Sequence, residues 1–250
     1  MNVKAEQEAL EPLRPQAVPG YLQETYWWAY IHPNAVSFFE RQWLVNLILW
    51  GNFARLRDAA LAELGREVPG RTLQVACVYG NFSEHLAARV APGGALDVVD
   101  VLPIQLRNLR AKLPASAPVT LHQRDSTALG FDDASYDQVV IFFLLHEQPA
   151  AARAQTLREA LRVLKPGGKL VLVDYHLPRR LHPLRYLFRP VLRTLEPFAL
   201  DLWRHEIAQW LPESVSAEQL RKETYYGGLY QKLVVTVGQG GRTPGTAASR

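Results

Sequence analysis

Hydrophobic and polar positions alternate with two different periods along this chain. Between residues 71 and 175, short runs rich in β-branched residues are separated by segments with helical spacing. The runs are Thr72–Val75, Leu96–Val99, Val119–His122, Gln138–Phe143 and Leu170–Val173. Strands that alternate with helices predict an α/β domain built on a parallel sheet with right-handed crossovers. Ahead of this core, residues 21–65 read as helices: Phe39, Trp43, Leu47 and Trp50 recur at helical spacing, and Gly51 is the expected break. Behind it, residues 177–212 are helical again, cut by Pro183, Pro190 and Pro197. Two further β-rich runs, Thr224–Tyr226 and Leu229–Val237, flank Gly227-Gly228, a hairpin signal. Residues 1–20, with three prolines and alternating charges, read as a loose arm, and the Gly/Thr/Ser-rich stretch from 238 onward as a disordered tail. The expected organisation is one domain over 21–237, with an N-terminal helical lid (21–65) and a helical cap (177–212).

Composition narrows the class. A chain of 250 residues that is 48 % hydrophobic can bury a sizeable core, and the length suits one elaborated domain. The net charge of +4 comes without a Lys/Arg block, so nucleic acid is not an expected partner. Cys77 is the single cysteine; it excludes an intramolecular disulfide, makes a reducing, intracellular setting the expectation, and reads as small packing. The longest apolar runs, Val139–Leu145 and Leu47–Trp50, fall far short of the roughly 20 residues that span a bilayer. With no apolar signal-like segment in residues 1–20, any membrane contact is expected to be peripheral. One segment suggests such contact. Arg179, Arg180, Arg185, Arg189 and Arg193 occur with no acid between His176 and Leu195. Arg185, Arg189 and Arg193 form one stripe; Leu184, Leu187, Phe188, Val191, Leu192 and Leu195 form another. That is the pattern of an interfacial helix on anionic lipid, or of a helix packed on the domain with a solvated basic face.

In an open α/β sheet, ligands bind beyond the carboxyl ends of the strands, at the point where strand order reverses. The chemistry-bearing residues do cluster just after each strand. The first strand runs into Val75-Ala76-Cys77-Val78-Tyr79-Gly80, and the second ends in Asp100, 20 residues after Gly80. That is the spacing at which a carboxylate meets ribose hydroxyls. The third ends in Asp125-Ser126, where a short acid can accept from an exocyclic amine, or can simply cap the loop. The fourth ends at Leu145-His146-Glu147. A turn, Lys165-Pro166-Gly167-Gly168, leads into the fifth, which ends in Asp174-Tyr175-His176. His146 reads either as a site residue or as a buried, hydrogen-bonded structural histidine. Tyr26, Trp27, Trp28 and Tyr30 read partly as core and partly as an aromatic lid suited to a planar ring.

The segments "DVVDVLPIQL", "RDSTALGFDDASYDQVV" and "LRVLKPGGKLVLVD" resemble class I S-adenosylmethionine-dependent methyltransferases, most of all the ubiquinone/menaquinone C-methyltransferase branch. The narrower match is to the rhodoquinone-biosynthesis family, carried by "TYWWAYIHPNAVSFFERQWLVNLILWGNF", "QVACVYGNF", "FFLLHEQP", "VDYHLPRRLHPLRYLFRPVL" and "YYGGLYQK" and covering roughly residues 20–235. The resemblance implies a Rossmann-like class I methyltransferase fold: a seven-stranded, mostly parallel sheet with helices on both faces and a helical lid. It also implies an enzyme that converts ubiquinone to rhodoquinone, exchanging a ring methoxy group for an amino group, with S-adenosylmethionine as amino donor and with manganese(II). The expected cofactor-binding residues are Gln74, Ala76, Val78, Tyr79, Gly80, Asp100, Asp125 and Ser126. His146 and Tyr175 are the expected catalytic residues, and His146, Asp174 and His176 would hold the metal. The implied location is cytoplasmic, against the inner face of the cytoplasmic membrane.

The loop after the first strand departs from the methyltransferase pattern, which has an acid at position 74 and glycines at 76 and 78; here stand Gln74, Ala76 and Val78. A carboxylate at 74 would favour a charged cofactor ammonium, whereas an amine that attacks must be neutral. Two other readings stay open from sequence alone: a C- or O-methyltransferase of a quinone precursor, and a non-catalytic cofactor- or quinone-binding protein.

Overall fold

The structure, a computed structural model, describes residues 18–25, 41–77 and 79–238. The arm over 1–17, the aromatics Tyr26, Trp27, Trp28 and Tyr30, Val78 and the tail beyond 238 lie outside the described residues.

Seven strands form one sheet in the order β3-β2-β1-β4-β5-β7-β6. They are β1 (Arg71–Val75), β2 (Ala95–Asp100), β3 (Val119–Gln123), β4 (Tyr136–Phe142), β5 (Leu164–Tyr175), β6 (Leu220–Tyr225) and β7 (Tyr230–Thr236). β1 to β5 pair in parallel, and β7 is antiparallel to both β5 and β6. Helices α1 (Gly20–Thr25), α2 (Gln42–Ile48) and α3 (Phe53–Leu64) precede the sheet. Its crossovers carry α4 (Phe82–Ala87), α5 (Pro103–Lys112) and α6 (Ala150–Arg162), while α7 (Leu184–Leu195) and α8 (Ala199–Arg204) lie between β5 and β6. The chain steps outward from β1 through β2 to β3, then returns to β4 on the other side of β1. Strand order therefore reverses between β1 and β4, and right-handed crossovers set the two runs of helices on opposite faces. This is the doubly wound sheet that the alternating pattern predicts, closed by an antiparallel hairpin.

Burial follows the pattern. The central strands are covered on both faces, so Leu73, Val75, Val139 to Phe142 and Leu170 to Val173 are continuously apolar and buried. Each such side chain contributes about 1.5–3 kcal/mol when removed from water. Phe142 organises one face: Phe82 stacks on it at 4.4 Å between centroids, and Phe53 of α3 meets it edge-on at 5.9 Å. Gly80 is required here. Its φ is +93°, and a Cβ would stand 2.7 Å from Phe53 Cζ.

The expected turn at Lys165–Gly168 lies inside β5 instead. Tyr136 pairs with Leu164 but Gln138 pairs with Lys169, so the extra residues loop out of the ladder while β5 continues. Gly51, with φ of +74°, follows α2 as the predicted break. α7 spans Pro190 and α8 begins after Pro197, so the cap is helical in pieces. Among the described residues no helix is long and apolar enough to cross a membrane.

Candidate active site

The carboxyl ends of β1, β2 and β3 open into one cleft. Ala76, Asp100, Asp125 and Ser126 line it, with Leu102, Gln105, Arg124 and Glu147 among its other walls and Tyr21 and Leu22 of α1 across it.

The loop after β1 is held by β2. Ala76 N donates to Val99 O (2.9 Å), and Cys77 N donates to Asp100 Oδ2 (3.0 Å). The other oxygen, Asp100 Oδ1, accepts from Leu102 N (2.8 Å) at the start of α5. Burial raises the Asp100 carboxyl above the usual range, opposed by these backbone donors. Ala76 adopts φ of +67°, the left-handed conformation that glycine takes freely and that costs a residue with a Cβ about 1–2 kcal/mol. The glycine-type turn is thus retained with an alanine in it. Phe143, just past β4, is held in the same region at φ +54°, so the two central strands beside the reversal point both end in strained non-glycine residues.

Asp125 Oδ1 accepts from Thr127 N (2.8 Å) and Thr127 Oγ1 (2.7 Å), a turn that fixes the loop after β3 while the residue faces the cleft. Ser126 Oγ, Thr156 Oγ1 and Gln148 Nε2 lie within 2.8–3.0 Å of one another, joining that loop to α6 and to the segment after β4. The Tyr21 phenol is pushed up to about 12, by burial first and by Asp125, Glu147 and Asp100 in addition, so it stays protonated over the cleft.

Three expected cofactor residues stand apart from the cleft walls. Gln74 is fully buried: Nε2 donates to Ala76 O (2.9 Å) and Ser83 Oγ (2.8 Å), and Oε1 has no partner among the described residues. Tyr79 packs against the core. Gly80 faces Phe53, and its carbonyl accepts from Lys112 Nζ (2.9 Å). Conversely, Tyr21, Gln105, Arg124 and Glu147 are wall residues that the sequence reading did not select. Glu147 and Arg124 each adjoin a residue it did select, His146 and Asp125, and that adjacency was the available signal.

Beyond β4 and β5, His146 Nδ1 stands 3.0 Å from Asp174 Oδ1. Asp174 also accepts from the backbone N–H of Leu145 (2.8 Å), His146 (3.3 Å) and Tyr175 (2.7 Å). Nε2 of His146 faces Glu147 Oε1 at 3.8 Å and Glu196 Oε2 at 4.0 Å. Burial works against the charged imidazole, but Asp174, Glu196 and Glu147 outweigh it and raise His146 to about 9. Tyr175 packs edge-on against the imidazole at 5.0 Å, and burial raises its hydroxyl far above neutrality.

The expected manganese ligands do not come together. His176 turns to the hairpin: Nδ1 donates to Gly228 O (2.7 Å), and Nε2 lies 3.0 Å from Lys222 Nζ. His146 directs Nδ1 to Asp174 and Nε2 toward Glu147 and Glu196, away from His176. Among the described residues no three His, Cys, Asp or Glu side chains form a candidate metal cage. The reason is directional: Asp174 spends both oxygens on the β4 and β5 ends, and His176 lies past the strand, where the pairing with β7 carries it away. The residues do fit S-adenosylmethionine. The cleft places a carboxylate at the end of β2 and a polar turn at the end of β3, and behind its β1 loop lies the unpartnered, buried Oε1 of Gln74.

With this geometry the comparisons agree. The methyltransferase domain family matches residues 72–168. Over 176 residues, 69 % of this chain and 68 % of the relative, the sequence is 31 % identical to the ubiquinone/menaquinone biosynthesis C-methyltransferase UbiE of Geobacter sulfurreducens. The chain belongs to the class I S-adenosylmethionine-dependent methyltransferase superfamily. Within it, the chain is also similar to the UbiE protein of Ectopseudomonas mendocina, at 32 % identity over 139 residues, and there spans about half the relative's length, 54 %. The N-methyltransferase NodS of Bradyrhizobium japonicum WM9 shares the fold, with a TM-score of 0.56 at 14 % identity over 74 % of this chain and 96 % of that one.

Proposed function

We propose that this protein is a transferase acting on the ring of a lipid quinone, and that the group it installs is an amine, converting ubiquinone to rhodoquinone. The quinone half of the reading is supported by the similarity to ubiquinone/menaquinone C-methyltransferases. The amine half is carried by one observation: the β1 terminus holds the neutral Gln74, whose amide nitrogen is tied to Ala76 O and Ser83 Oγ. The residue lies buried behind the β1 loop, and no carboxylate stands there to favour a protonated ammonium on a ligand in the cleft.

When bound, S-adenosylmethionine would supply the nitrogen that forms the ring C–N bond as methoxide leaves; the bond from that nitrogen to the cofactor α-carbon would then break, with the α-carbon oxidised to a keto acid, water supplying its oxygen, and the quinone reduced to the aminoquinol. Asp100 holds the ribose hydroxyls, and its own position is fixed by Cys77 N and Leu102 N. Tyr21 and Leu22 of α1 stand across the cleft. Glu147 lines the cleft, and the buried His146 behind it, raised to about 9, would be the source of the proton for the departing methoxide.

A second reading, methyl transfer to a quinone precursor, is favoured by the left-handed turn that Ala76 preserves. Parallel incubations with ubiquinone and with a quinone precursor lacking the ring methyl, each with cofactor labelled with nitrogen-15 at the amine, separate them. The amine reading requires a quinone that has lost methoxy and gained the label. A demethylated precursor that gains a methyl, with no label in any quinone, overturns it, and no product from either substrate leaves a binding protein.

A further inference from the structure

The eight exposed large apolar side chains among the described residues all come from two segments, 43–50 and 181–191. Trp43 is 58 % exposed, Leu47 63 %, Leu187 63 % and Leu181 96 %. The segments are far apart in sequence yet adjacent in space, since the Trp50 ring meets that of Phe188 at 5.8 Å. The expected interfacial stripe on α7 is therefore rearranged. Leu184 and Leu192 are buried in the domain, while Leu187 and Val191 lie in solvent on either side of Phe188, which meets Trp50 just past α2. Arg185 is half-buried and donates to Pro178 O (2.6 Å), so it belongs to the fold rather than to the free basic face. Arg179, Arg180, Arg189 and Arg193 are exposed.

Charge decides what covers this surface. Residues 41–50 and 175–195 carry six arginines and no carboxylate, so the rest of a chain of net +4 is net −2. A second copy docked on the same patch would set arginines against arginines. An anionic bilayer meets both features at once: indole, phenol and aliphatic side chains enter the interface, and the arginines reach lipid phosphates.

We infer that α2 and α7 form a single docking face for anionic membrane, with Trp43, Leu47, Trp50, Leu187 and Val191 inserted and Arg189 and Arg193 on the headgroups. The face adjoins the cap that continues through Phe198, on which Tyr21 of the cleft packs edge-on at 6.3 Å. It deepens the lipid-quinone reading by supplying the phase from which the substrate enters, and rests on that reading only for its purpose.

The test is flotation with quinone-free vesicles, so that failure of the quinone reading leaves it intact. Vesicles of phosphatidylcholine with about one-third phosphatidylglycerol are compared with pure phosphatidylcholine, at 0.1 M and 1 M NaCl. The full chain is expected to float on the anionic vesicles at low salt and to be released at 1 M, where screening shortens to about 3 Å. Each arginine near such a surface strengthens partitioning about five-fold. Arg189→Glu with Arg193→Glu should therefore weaken it by at least twenty-five-fold, and Leu47→Ser with Leu187→Ser by at least ten-fold at either charge density. Both pairs are exposed, so melting temperatures should match the parent, and turnover of a short-chain, water-soluble quinone should be unchanged. Equal flotation of all forms overturns the proposal. So does a dimer in solution, dispersed by Leu47→Ser, in a chain that never floats; that result assigns the face to self-association.

Discussion

Asp174 holds His146 from behind: its Oδ1 lies 3.0 Å from Nδ1 of the imidazole, while Oδ2 accepts the backbone N–H of Leu145 (2.8 Å) and of His146 itself (3.3 Å). One buried carboxylate thereby joins the ends of β4 and β5 and fixes the direction in which Nε2 points. The pair has a consequence for pH. The folded imidazole is raised to about 9 from 6.5, so its charge stabilises the fold fully below about pH 6.5, and this contribution is lost as pH rises through about 9. His146→Gln should cost about 3–5 kcal/mol at pH 6, the range for breaking a buried pair. The difference in melting temperature from the parent should shrink by pH 9.5. A difference that is constant with pH would mean that the imidazole is neutral.

Ala76→Gly should stabilise the protein. At φ +67° the alanine carries strain that glycine lacks, and releasing it outweighs the extra chain entropy of a glycine, for a net gain of about 1 kcal/mol. For a chain of this size that is about 2–4 °C in melting temperature. A lower melting temperature would show that the Cβ packs productively.

Gly80→Ala should do the reverse. It combines φ of +93° with a contact of 2.7 Å to Phe53 Cζ, and about 2–4 kcal/mol is the expected cost. Phe53→Leu in the same background should recover the steric share but not the backbone share, which thermal melts of the three variants would resolve.

Asp100→Ala should abolish measurable cofactor binding. Two ribose hydroxyls lose a charged acceptor worth about 1.5–3 kcal/mol each, and the amides of Cys77 and Leu102 lose their partner. Titration calorimetry with S-adenosylmethionine reads this, and affinity within three-fold of the parent would remove Asp100 from the ribose site.

Gln74→Glu is the sharpest test of amine chemistry. A carboxylate there should bind the ammonium form of the cofactor at least as tightly while slowing amino transfer at least ten-fold, a difference that narrows at high pH as the amine deprotonates. Because Gln74 Nε2 donates to Ala76 O and Ser83 Oγ, the variant must first be shown to melt normally. A folded variant with full amino-transfer activity would make Gln74 incidental.

Much of this protein was legible in its sequence. β-Branched runs bounded by Gly, Pro and Asp placed β1 to β4 and the end of β5 to within two residues, because strand period and turn chemistry are local properties, while the start of β5 was hidden by the turn signal at Lys165–Gly168. Asp100 and Asp125 could be named because a doubly wound sheet puts ligands at strand ends, and a strand end can be read from the run that precedes it. Tertiary structure decided where side chains point once the strands stop. Gln74 turns into the core because Ser83 and its own loop carbonyl lie there, and His176 turns to Gly228 because β7 pairs beside β5. His146 finds Asp174, 28 residues on, only when β4 and β5 are laid side by side. The apolar face shared by α2 and α7 has no local signature either: each helix has its own amphipathic pattern, and which residues stay in solvent depends on how much of each the sheet covers. Periodicity is written residue by residue, whereas partnership is a property of contacts between segments that the chain keeps far apart.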